Sequence, residues 1–152
     1  MPRGDEPRKA EPGTTRRLLV VDDEPAICEV LRQYLGRQGF EVEVAESAED
    51  ALTLWQGGVT FDVVLVDKNL PGKSGIDFVR EAHRTYPEAT TLIITGYPSR
   101  ESVTDALHAG ASGYVIKPFE SLPKVLEAIE EACERHRRWL AAGRGGRRGG
   151  AG

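Results

Sequence analysis

The chain is poor in sulfur and has no long apolar run. Its two cysteines among 152 residues, Cys28 and Cys133, are too few and too far apart to make a cysteine metal site. Both fall in expected helices that run in the same direction, with Cys133 further along its own. At about 1.5 Å of rise per residue that offset is on the order of 10 Å, beyond disulfide reach, so two reduced thiols in or near the core are expected. No apolar stretch approaches the roughly 20 residues that span a bilayer. The opening MPRGDEPRKAEPGTTRR has basic residues with no apolar segment behind them. It is therefore not an ordinary secretory signal, and a cytoplasmic location is expected. Neither sign of charge dominates: the formal net charge is −4, which fits neither a nucleic-acid-binding body nor an acidic disordered chain.

What is present is an ordinary globular composition, with 39% hydrophobic and 29% charged residues, and length for one domain with a substantial core. Residues 1–15 read as a disordered extension, 16–140 as the folded domain, and 141–152 as a disordered Arg/Gly-rich tail. The tail's Arg144, Arg147 and Arg148 could touch a polyanion weakly. A flexible, solubilising role is the simpler reading.

The stretch Phe61 to Gly75, FDVVLVDKNLPGKSG, holds a β-branched run, Val63 to Val66, that ends on Asp67. A short apolar run bounded by turn residues suggests a strand buried on both faces, as in a parallel sheet. Arg17 to Val21, ending on Asp22-Asp23, and Thr90 to Ile94, ending on Thr95-Gly96, read alike. Gly113 to Ile116, ending on Lys117-Pro118, is the last strand. Phe40 to Val44 alternates strictly and belongs on an edge with one wet face. Helical spacing follows each strand: Ile27, Val30, Leu31, Tyr34 and Leu35; then Ala48, Ala51, Leu52 and Trp55; then Phe78, Val79 and Ala82; then Val103, Ala106 and Leu107; and Leu122, Val125, Leu126, Ile129 and Cys133, ending about Leu140. Five βα units with right-handed crossovers give a doubly wound α/β sheet. The wet second strand at the edge selects order 2-1-3-4-5, the flavodoxin-like (βα)5 arrangement, with its site at the switch point between strands 1 and 3.

Asp22, Asp23 and Asp67 then converge at the carboxyl edge. Such carboxylates repel one another unless neutralised, and oxygen ligation without His or Cys favours Mg²⁺. Thr95 and Lys117 add a hydroxyl and a fixed positive charge at neighbouring strand ends, completing parts suited to phosphoryl transfer. Each residue alone has a duller role as a cap, a turn or a surface lysine. Five at four strand ends on one edge do not.

With VVDDEP at 20–25, LVDKNLPGKSG at 65–75, ITG at 94–96 and YVIKP at 114–118, the chain closely resembles the receiver domain of two-component response regulators over residues 16–138. The resemblance implies that Asp67 is the phosphoacceptor. It implies that Asp22, Asp23, Asp67 and the backbone carbonyl of Asn69 bind Mg²⁺, that Lys117 contacts the phosphoryl oxygens and that Thr95 hydrogen-bonds one of them. Tyr114 matches the switch aromatic paired with Thr95, and Lys117-Pro118 a peptide bond typically cis. Asn69 and Tyr97 occupy positions that tune phosphoryl lifetime. Lys68 departs from the usual apolar residue.

The implied protein is a stand-alone, single-domain response regulator. It would take its phosphoryl group from a sensor histidine kinase or histidine phosphotransfer protein, and signal through the face from Ser99 to about Leu140 to a downstream protein or a homodimer mate. It is not an enzyme with a separate catalytic output. A metal-dependent phosphatase with an aspartyl-phosphate intermediate is the main rival. It should carry a second carboxylate two residues after its nucleophile, where this chain has Asn69. A phosphorylation-independent interaction module is a third reading, opposed by the full acidic set with Thr95 and Lys117. Pro71-Gly72-Lys73-Ser74 imitates the end of a P-loop, but the position needing the first Gly is Asp67. His83, His108 and His136 read as surface or packing residues.

Overall fold

The computed structural model describes residues 16–151 except 88, 97, 98 and 118–120, with backbone only from residue 143. The amino-terminal extension, Tyr97, Pro118 and the side chains of Arg144, Arg147 and Arg148 thus lie outside the described residues. Strands and helices alternate: β1 (Arg16–Val21), α1 (Pro25–Arg37), β2 (Phe40–Ala45), α2 (Ala48–Gln56), β3 (Val63–Asp67), α3 (Gly75–Thr85), β4 (Thr90–Thr95), α4 (Arg100–Ala109), β5 (Gly113–Ile116) and α5 (Leu122–Ala151). All strand pairs are parallel, in the order β2-β1-β3-β4-β5. The alternating β2 is an edge strand with Glu41 and Glu43 exposed, as its sequence requires.

The central strands are buried because their successive side chains enter two different cores. Leu19, Val21, Val64, Val66 and Ile93 pack with Trp55, Phe78, Val79 and Ala106 from α2, α3 and α4. Leu18, Val20, Leu65 and Ile94 pack on the other side with Leu31, Leu35, Val125 and Ile129 from α1 and α5. Cys28 and Cys133 belong to this second core and are free, buried thiols.

Helix starts follow their side chains. Ser47, Ser74 and Ser99 cap α2, α3 and α4, accepting the backbone N–H of Asp50, Asp77 and Ser102 at 3.1, 3.1 and 3.0 Å. Ser74 therefore serves as a helix cap, and Lys73 pairs with Glu81; the P-loop imitation is a turn.

Two expectations shift. Val30 and Leu107 do not face the core: they are 45% and 50% exposed, while Cys28 and Ala109 are buried. At about 100° per residue, position 107 has turned past the stripe marked by Ala106 and Ala109, whose small side chains let α4 lie close. Second, α5 continues as helix to Ala151 rather than ending near Leu140. Its last stretch owes nothing to composition, since each helical Gly costs about 1 kcal/mol relative to Ala, and Ala141 and Ala142 are exposed. Of the two roles open to His136, surface or packing, the structure shows packing. It is buried at the amino edge of the sheet, with Nδ1 3.4 Å from Thr90 Oγ1 and Nε2 3.6 Å from Asp62 Oδ1.

Candidate functional site

Parallel pairing carries the ends of β1, β3, β4 and β5 to one edge. There β3 delivers Asp67, the residue after β1 is Asp22, β4 ends on Thr95, and Lys117 follows β5. Asp23 is exposed, while Asp22, Asp67 and Thr95 are buried. One carboxylate oxygen from each of Asp22, Asp23 and Asp67 lies within 4.8 Å of the others. The convergence read from the strand ends is present in the fold.

The turn after β3 is held at several points. Lys68 N–H donates to Ile94 O at 2.8 Å, and Gly75 N–H donates to Lys68 O at 2.8 Å. Asn69 N–H donates to Asp67 Oδ1 at 3.2 Å, fixing the carboxylate against its own turn. Gly75 is required here by space. A Cβ at position 75 would stand 2.1 Å from the Asp67 carbonyl oxygen, so only glycine lets α3 start so close to the end of β3.

Lys117 binds the acidic residues together. Its Nζ lies 2.7 Å from Glu24 Oε1, 3.1 Å from Asp22 Oδ2 and 3.4 Å from Asp67 Oδ2. Burial opposes the charge on this ammonium. Its close pairing with the Glu24 and Asp22 carboxylates, and the charges of Asp22 and Asp67, outweigh it and hold the lysine well above its usual range. For Asp22 burial is the largest influence and pushes its carboxyl above its ordinary pKa. The Glu24 N–H pulls it down, the Asp67 charge adds to the rise and Lys117 opposes it. Lys117 Nζ stands 3.1 Å from Asp22 Oδ2 as an ion-pair partner, and this buried oxygen has no hydrogen-bond donor among the described residues.

That orphaned oxygen is the test of a metal's fit. Three hard oxygen donors at this spacing, one lacking a donor, suit a divalent cation of the Mg²⁺ type. The cluster could hold such an ion. Tyr114 sits on β5, 41% exposed with its side chain outward. Glu24 is the site residue to which the motif reading gave no role. Its only sequence signal was an acidic side chain two positions after Asp22.

No helix of the described residues is long and apolar enough to cross a membrane. The family model of the response regulator receiver domain matches residues 18–130. The chain is 34% identical over 121 residues to the hydrogenase transcriptional regulatory protein HoxA of Bradyrhizobium diazoefficiens, covering 79% of this chain and 24% of that protein. It is 40% identical over 107 residues to the transcriptional regulatory protein AruR of Pseudomonas aeruginosa, covering 68% and 43%. It thus spans less than half the length of these curated relatives. A CheY-like response regulator receiver domain protein from Methanospirillum hungatei has the same fold, with a TM-score of 0.78 and 33% identity, covering 82% of this chain and 98% of that one. The acidic edge, the strand order and these similarities agree, and the chain belongs to the response regulator receiver domain family of two-component signalling.

Proposed function

We propose that residues 16–140 form a Mg²⁺-dependent phosphoacceptor switch of a cytoplasmic response regulator, with Asp67 as the acceptor. The observation that carries this reading is the meeting of Asp67 with Asp22, Asp23 and Lys117 at one edge. An Asp67 carboxylate oxygen attacks phosphorus, the P–N bond of a phosphohistidine breaks, and the imidazole leaves with the bond's electron pair. The donor would be a sensor histidine kinase or a histidine phosphotransfer protein.

Asp22, Asp23, Asp67 and the backbone carbonyl of Asn69 would hold Mg²⁺, which when bound neutralises charge on the transferring group. Lys117 pairs with the phosphoryl oxygens, and the Thr95 hydroxyl donates to one of them. Phosphorylation adds roughly −1.5 to −2 charges. Thr95 moves toward that charge and Tyr114, now outward, turns into the space behind it. The face of α4, β5 and α5 changes for a downstream protein or a second copy. Leu107, Tyr114 and Ile116 already expose apolar surface on α4 and β5. The Arg/Gly tail acts as a solubilising segment with at most weak polyanion contact. Asn69, two residues after Asp67, leaves no acid where an aspartyl-phosphate phosphatase needs one.

The test is labelling from a radioactive phosphodonor with Mg²⁺. Hydroxylamine-sensitive label is expected on the wild type and absent from Asp67→Asn; undiminished label on that variant overturns the assignment.

A further inference from the structure

Glu24 carries a carboxylate that its own helix does not use. It is the N-cap residue of α1, where Ser, Thr, Asp or Asn normally accepts from the first turn, yet its side chain makes no capping hydrogen bond. Instead Oε1 accepts from Lys117 Nζ at 2.7 Å, across 93 positions of sequence. Among the described residues this is the closest of the lysine's three carboxylate contacts. The two partners differ in freedom: the Glu24 side chain is 59% exposed and that of Lys117 only 16%. Glu24 can swing into solvent, whereas Lys117 stays in the crevice.

We propose that Glu24 is a positioning residue that holds Lys117 away from an incoming phosphoryl group and must release it when Asp67 is phosphorylated. The proposal rests on the reading of Asp67 as acceptor. Among the described residues Lys117 Nζ donates to Glu24 and Asp67 and stands 3.1 Å from Asp22 Oδ2. A phosphoryl oxygen drawing on this ammonium therefore competes with these carboxylates for its three donors. Asp22 is buried and Asp67 is the reacting group, so the exposed Glu24 yields. Its negative charge also opposes the approach of an anionic donor. Glu24 thus sets how readily the lysine changes partner.

The experiment compares wild type, Glu24→Gln and Glu46→Gln. Glu46 is an exposed carboxylate near the same end, and its substitution removes equal charge without touching Lys117. Phosphorylation by a small-molecule donor is followed against Mg²⁺ concentration, and beryllofluoride, a phosphoryl mimic, is titrated by ¹⁹F NMR. Glu24→Gln is expected to raise the rate at saturating Mg²⁺ and tighten beryllofluoride binding, each about two- to five-fold, the range of an exposed ion pair. Half-saturating Mg²⁺ should be unchanged and Glu46→Gln should match wild type. Equal effects of both substitutions, a change in Mg²⁺ affinity alone, or no change overturns the proposal. Wild-type protein that takes no acyl phosphate identifies the acceptor reading as the failure, and this inference falls with it.

Discussion

Gly75→Ala tests the link between packing and the site. The new methyl would stand 2.1 Å from the Asp67 carbonyl oxygen and within 2.9 Å of the Lys68 Cα, where contacts under 3.0 Å essentially never occur. These are backbone atoms of a strand end, so no side chain can rotate away. The first turn of α3 must instead move by roughly 1 Å in a close-packed interior. Overpacking of this kind costs about 1–3 kcal/mol. Loss of the Gly75 to Lys68 hydrogen bond adds about 1 kcal/mol, and the better helix propensity of alanine returns up to about 1 kcal/mol. The net loss is about 2 kcal/mol, or roughly 8 °C in Tm for a domain of this size. In urea the midpoint should fall by about 1 M. Gly36→Ala is the control: nothing lies within 4 Å of its Cβ position, and the substitution should stabilise by up to about 1 kcal/mol. A Gly75→Ala protein within about 0.5 kcal/mol of wild type would refute the close approach of α3 to β3, since changes away from such features stay in that range.

Asp22→Asn should raise the urea midpoint of the metal-free protein at neutral pH. The raised pKa of this carboxyl means its charged form is penalised in the fold. Wild-type stability from this group is thus present below the unfolded value and lost as pH rises through the folded one. Millimolar Mg²⁺ should reverse the ranking by stabilising wild type alone, about 1.4 kcal/mol when the ion is at ten times its Kd; equal Mg²⁺ stabilisation of Asp22→Asn would argue against Asp22 as a ligand. Burial is the leading influence on both thiols, pushing Cys28 to about 11 and Cys133 to about 12. Neither should react with a disulfide reagent at pH 8 until urea unfolds the domain, and rapid native labelling would contradict their burial. Truncation after Leu140 should leave the unfolding midpoint within about 0.5 kcal/mol of the full chain, by analogy with surface changes; a larger loss would show that the end of α5 packs on the domain.

The sheet and its acidic edge were legible because they depend on local pattern. Strict alternation in Phe40 to Val44 selected the edge strand, and the strand order followed. Asp22, Asp67, Thr95 and Lys117 could be found as strand ends without any contact being known. Other features needed the assembled molecule. The partner of Glu24 lies 93 positions away, so VVDDEP alone gives that glutamate no role. Gly75 looked like part of a turn, whereas its neighbour is the backbone of β3. In α4, the choice between Leu107 and Ala109 depends on how the helix rolls on the sheet, and hydrophobicity favoured the residue that ended outside. For His136 the choice between surface and packing needed the fold, because Thr90 and Asp62 reach it only through the packing of α5 on β3 and β4.

The most direct measurement is chemical mapping of the acceptor. Protein phosphorylated by a small-molecule donor with Mg²⁺ is reduced with borohydride, which converts an aspartyl phosphate to homoserine, then digested and sequenced by mass spectrometry. The account predicts homoserine at position 67, dependent on donor and Mg²⁺. Homoserine at Asp22 or Asp23, or an unmodified Asp67 in protein carrying stoichiometric label, would contradict it.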